Sequence, residues 1–165
     1  MHSALHLAVL EAFRLQGWSW REVPGQEVVE SAFEAHHGKV ALHAQSYGQA
    51  GLLSIVARCS VHVPGSHLAL VAQLLMRANE SLNLGGLELI WGRGEVLFRV
   101  GQLFAETGAH HRIIAALVHA AVAEIDRITP FVGELCRQPA VCMGPREIVA
   151  LLAREDLLPT SPQAS

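Results

Sequence analysis

Lysine is almost absent: Lys39 stands alone among 12 basic residues, and the formal net charge is −3. That balance gives no basic field able to neutralise a phosphate backbone, so nucleic acid is not an expected partner. Cysteine is scarce as well. Cys59, Cys136 and Cys142 are odd in number and fit no zinc-ligand spacing such as CxxC, and a reducing, cytoplasmic location is the simplest expectation. No run approaches the roughly 18 apolar residues that span a bilayer. The opening MHSALHLAVLEAFRLQG lacks a basic start and interrupts its apolar pattern with His6, Glu11 and Arg14, which argues against a signal peptide.

Signatures of catalysis are missing too. Ser54, Ser60 and Ser66 stand in no GxSxG context. The glycines of GGLELIWGRGEV flank a strand instead of opening a helix after one, the wrong arrangement for a phosphate cradle. Glu30, Glu34, Glu88 and Glu95 are best explained as a solvated sheet face. No enzyme activity and no cofactor are expected.

What is present is the material of one domain, 165 residues of which half are apolar. A helical period from Ala4 to Phe13 stops at Gly17. From Trp18 to Val63 the period becomes two, broken at Pro24–Gly25, His37–Gly38 and Gly48–Gly51, which predicts three or four antiparallel strands. In the last of them Leu53, Ile55, Ala57, Cys59, Val61 and Val63 share the core face, so Cys59 should be packed and inert. A helix from Pro64 to about Leu82 would lay Leu68, Val71, Leu75, Ala78 and Leu82 over that face. A hairpin follows, pairing Leu87, Leu89 and Trp91 with Val96, Phe98 and Val100, with Glu88, Glu95 and Arg99 outward.

After Thr107–Gly108 a long helix carries Ile114, Leu117, Val118, Ala121 and Ile125 on one stripe. Its alanines at 115, 116, 120, 121 and 123 suit close packing on a second helix or a second subunit. Pro130 is expected to kink or end it. Residues 138–158 read as a loop and a short helix from Pro145, docking through Ile148, Val149, Leu151 and Leu152. Residues 159–165 are polar and Pro/Ser-rich and should be disordered. The fold class is therefore α+β, an antiparallel sheet with helices on one face.

The element order, and in particular VPGSHLALVAQLLMRANESLNLGGLELIWGRGEVLFRV with Asn79–Glu80 before its turn and Phe98–Arg99 closing the hairpin, resembles the YbjN family of bacterial proteins. The resemblance covers about residues 1–137. It implies a fold similar to type III secretion chaperones, which are dimeric modules that hold extended client segments, and hence a homodimeric binding, adaptor or regulatory protein. The expected partner is a client protein of unknown identity.

Two groups of residues are candidates for function. Trp18 and Trp20 share one strand face in this reading and, with Arg58 and His62 on the polar face of the following strands, would form a surface for an extended client segment. Closing the edge of the core is the plainer role for the tryptophans. The second group is His36, His37 and His43, clustered around the Gly38 turn near Glu34. With Arg58 they are the basis of the alternative function, a small-molecule or metal-binding enzyme. Solvated or structural histidines explain them more simply, because zinc ligands usually stand closer together.

Overall fold

Ser3 starts the first helix because its side-chain oxygen accepts the His6 N–H at 3.2 Å, satisfying a donor that every helix start leaves over. That helix, α1 (Ala4–Gln16), ends at Gly17, whose φ of 68° suits glycine. The Gly17 N–H reaches the Arg14 carbonyl and the Trp18 N–H the Phe13 carbonyl, both at 3.1 Å, the Schellman ending of a helix. The computed structural model describes residues 2–105 and 108–159. The expected break at Thr107 and all of the expected disordered tail but Pro159 lie outside the described residues.

Four strands follow where the period of two predicts them: β1 (Arg21–Glu22), β2 (Val28–Ala35), β3 (Gly38–Tyr47) and β4 (Leu52–His62). Then come α2 (Leu68–Asn79), the hairpin β5 (Gly86–Ile90) and β6 (Glu95–Leu103), the long α3 (His111–Arg137) and α4 (Pro145–Leu152). Every pairing is antiparallel, and the strand order is β1-β2-β3-β4-β6-β5. The fold is α+β.

One face of the sheet is apolar because alternate residues point the same way. Val29, Leu42, Ala44, Leu53, Ile55, Ala57, Val96, Phe98 and Val100 are buried there. Helices α1, α2 and α3 pack on the sheet, contributing Val9, Phe13, Val71, Leu75, Ile114, Val118, Ala121 and Ile125. Helix α3 also packs on α1, and Ala115 and Ala121 are buried within the single chain. Helix α4 adds Ile148 and Leu151, whereas Val149 is 50% exposed. One residue along a helix is a turn of about 100°, so Val149 falls off the stripe that its neighbours form.

Three details refine the pattern read in the sequence. Trp91 does not join the core: the hairpin ladder ends at Ile90 opposite Glu95, and Trp91 stands in the turn, 56% exposed. On the outer face of the sheet Val56 and Leu97 are nonetheless buried. Their cross-strand neighbours include Arg58 and Arg99, whose aliphatic stems can lie over apolar surface. Of the two outcomes expected of Pro130, ending the helix is excluded: α3 continues past it to Arg137.

A proline inside a helix leaves the carbonyl four residues earlier without its partner. Here that carbonyl belongs to Asp126, and it accepts a hydrogen bond from His37 Nδ1 at 3.1 Å. The His37 backbone N–H donates to the Asp126 carboxylate at 2.6 Å. The turn between β2 and β3 thus supplies from outside what the proline removes from inside. His67 plays a comparable part, its Nε2 bonded to the Gln138 carbonyl at 2.8 Å, tying the start of α2 to the end of α3.

At the far edge of the sheet, the Asn79 side-chain amide donates to the Leu87 carbonyl at 3.0 Å and accepts the Leu87 N–H at 2.8 Å. The last residue of α2 therefore fills a ladder position on the outer side of β5.

Candidate functional site

The outer sheet face takes its shape from cross-strand pairs. Glu30 stands opposite His43, Ala32 opposite Ala41, and Ala41 opposite Arg58. Facing alanines leave a hollow between longer neighbours. The result is an open groove of about 480 Å³ lined by Trp20, Arg21, Glu30, Ala32, Ala41, His43 and Arg58. One wall comes from the chain entering β1, and the Ser31 hydroxyl holds that chain beside β2 by donating to the Ser19 carbonyl at 2.7 Å.

The groove's charges are unequal in kind. Arg21 is paired with Glu30 at 2.5 Å, and just beyond it Arg99 grips Glu88 through two hydrogen bonds of 2.9 and 3.2 Å. Arg58 is exposed and, among the described residues, forms no ion pair, so it is the cation available to an arriving carboxylate. His43 is half-buried, and that burial first, then the charges of Arg58 and Arg99, pushes its pKa below the usual imidazole range. Protonating it therefore works against the fold. Stability held above about pH 6.5, the ordinary value, should fall as the pH drops below it, and His43→Gln should flatten that fall in urea midpoints measured between pH 7 and 5.

Trp18 and Trp20 do not share a strand face. Both precede β1, because the Schellman turn at Gly17 redirects the chain before pairing begins. Trp18 is the hydrophobic contact that such a turn brings back to the helix: its ring meets Phe13 at 5.2 Å, Phe33 at 5.3 Å and His119 at 5.1 Å. It is half-buried and packed against the core. Trp20 reaches Phe13 only at 6.2 Å and is 37% exposed at the groove rim. His62 is exposed at the end of β4, opposite Glu95, and does not line the groove.

The three histidines of the second group separate. His36 and His37 lie in the β2–β3 turn with their rings 4.7 Å apart, but His37 is engaged with Asp126. His43 is on the outer face further along β3 and joins the groove with Trp20 and Arg58. They offer no shared metal centre: among the described residues, the one set of three convergent ligand atoms belongs to His2, His6 and Glu22. Glu34 is likewise outside the groove lining. Cys59 is half-buried, its thiol pKa raised by that burial, with Sγ 3.4 Å from Thr129 Oγ1.

Alternation on the strands made Arg58 and His43 findable as outer-face residues. The hollow itself depended on two alanines facing each other, which needs the β2–β3 register to see. No helix among the described residues is long and apolar enough to cross a membrane. Comparison with family models and with curated proteins finds no match to this chain in either.

Proposed function

We propose that the chain is a non-enzymatic protein-binding module of the kind the YbjN resemblance implies, a homodimeric chaperone-like adaptor or regulator that works in the cytoplasm. Its client segment lies in the outer-face groove. The observation that carries this reading is the convergence of Trp20 and Arg58, from separate parts of the chain, on one open groove floored by alanine. A partly exposed indole offers apolar area at low entropic cost, and an unpaired guanidinium selects a segment carrying Asp or Glu. Trp18 serves the fold, and His62 stands apart from the bound segment.

The test is a cross-linked pull-down from native lysate with mass-spectrometric identification, comparing the wild type with Trp20→Ala and Arg58→Ala. One dominant partner, weakened about tenfold or more by each variant, is the expected result, equivalent to roughly 1.4 kcal/mol. Trp20→Ala should leave the melting temperature nearly unchanged, while Trp18→Ala should cost about 2 kcal/mol of stability because its ring is packed on three others. A partner retained equally by all variants would remove the groove from the binding surface.

The alternative, an enzyme using the His36–His43 region, keeps one observation in its favour, the presence of His43 beside Arg58. It predicts that a small molecule protects the groove from modification, and that His43→Gln abolishes turnover while the pull-down is unaffected.

A further inference from the structure

A second cluster lies away from the groove lining, where the start of α1 meets β1. His2 Nε2 is 3.4 Å and His6 Nε2 3.3 Å from the same oxygen, Glu22 Oε2, and all three ligand atoms lie within 4.8 Å of one another. These separations exceed the roughly 2.7–2.9 Å of a charge-assisted hydrogen bond. The two histidine-to-carboxylate separations match another geometry: ligands bound at about 2.0–2.1 Å to a tetrahedral ion stand about 3.3–3.4 Å from each other. We propose that His2, His6 and Glu22 bind a divalent transition-metal ion of the zinc type.

The donors fit that class. Two imidazole nitrogens and one carboxylate oxygen suit zinc and its first-row neighbours, whereas magnesium and calcium take oxygen ligands. Three protein ligands leave a fourth position, and it opens to solvent because the His2 and Glu22 side chains are 47% and 40% exposed.

His6 is fully buried, and among the described residues its Nδ1 has no hydrogen-bond partner. Among the described residues the polar engagement of this ring is therefore at Nε2 alone, the atom that faces Glu22. A buried imidazole held by one long contact is poorly compensated for leaving water, and a metal bond at that atom supplies the compensation.

The cluster is also held in place by its surroundings. Between the two histidines, Ser3 is gripped by Glu27, which accepts from both the Ser3 backbone N–H and its hydroxyl, the latter at 2.6 Å. Those two hydrogen bonds, the hydroxyl's first, hold the Glu27 pKa below the usual carboxylate range. On the other side Ser3 lies so close to Gly48 that no side chain fits there. His2 is thus delivered onto His6, ring centroids 4.7 Å apart, by a fixed chain and not by a wandering terminus.

A bound ion would staple α1 to β1. Glu22 and Arg21 are successive strand residues, so a metal on one side of β1 would steady the groove wall on the other.

The experiment uses the untagged full chain stripped with EDTA and titrated with zinc chloride by calorimetry, then with cobalt(II) to read the visible absorption of a tetrahedral site. One equivalent of zinc should bind and raise the melting temperature. Affinity should fall at least tenfold in both His2→Gln and Glu22→Gln, exposed positions whose change leaves the core intact, and should persist in a His110→Gln/His111→Gln control. Absence of a one-equivalent event would overturn the site, as would wild-type affinity in either ligand variant or loss of binding in the control.

Discussion

Gly94→Ala should lower stability by about 3 kcal/mol, the sum of placing a side chain in the left-handed region and overpacking a close contact. Gly94 has a φ of 60°, and a methyl group there would sit against the Val63 carbonyl and 3.1 Å from the His62 ring. The Val63 N–H is at the same time bonded to the Gly94 carbonyl at 2.8 Å, so the tip of the hairpin is clamped to the end of β4. Neither side can retreat without losing that bond. Urea denaturation monitored by tryptophan fluorescence measures the loss, and a melting temperature lower by roughly 6–12 °C is the thermal counterpart. Gly92→Ala is the control. Its φ is not positive and a methyl group there meets nothing, so it should be nearly neutral.

His37→Ala should cost about 3 kcal/mol, since it strips the Asp126 carbonyl of its donor in a poorly solvated place and removes a packed ring. The informative comparison adds Pro130→Ala. Restoring an N–H at position 130 gives that carbonyl a partner within the helix, so the loss of His37 should hurt less in this background. A double-mutant cycle is expected to return a coupling of about 1 kcal/mol or more between residues 37 and 130, although they belong to different elements. Additive losses would mean that His37 acts only through packing.

The same pair explains where the sequence was readable and where it was not. Gly17 as a stop, the change from helical period to alternation at Trp18, and the apolar stripe from Ile114 to Ile125 are local signals. Each element they predict is present. Pro130 alone leaves open whether the helix ends, because its compensation comes from His37, a residue remote in sequence that reads as a turn histidine. Trp18 misleads for a related reason: alternation suggests a strand, but the turn at Gly17 spends the residue on closing the helix. Trp91 reads as a core residue only if alternation is extended one step beyond the ladder, which ends at Ile90.

The candidate site was legible only by halves. Period two places Arg58 and His43 on the outer face. Their meeting with Trp20 depends on β3 lying between β2 and β4 and on the register that sets Ala32 against Ala41. The His2, His6 and Glu22 cluster left no sequence signal beyond the spacing of its two histidines, since Glu22 arrives from a strand of two residues. Contacts between elements are set by topology, and spacing along the chain does not encode them.

Asn79 has a consequence for the population of molecules as well as for one of them. A sheet edge is a template on which another chain can grow, and growth that adds an identical edge each time has no natural end. By occupying both bonding groups of Leu87, the Asn79 carboxamide terminates the template with a side chain that offers no backbone to continue it. Pairing of another chain at Leu87 is therefore blocked. Any backbone pairing between copies would have to start elsewhere than Leu87, and only a symmetric contact that closes on itself would keep the number of subunits finite.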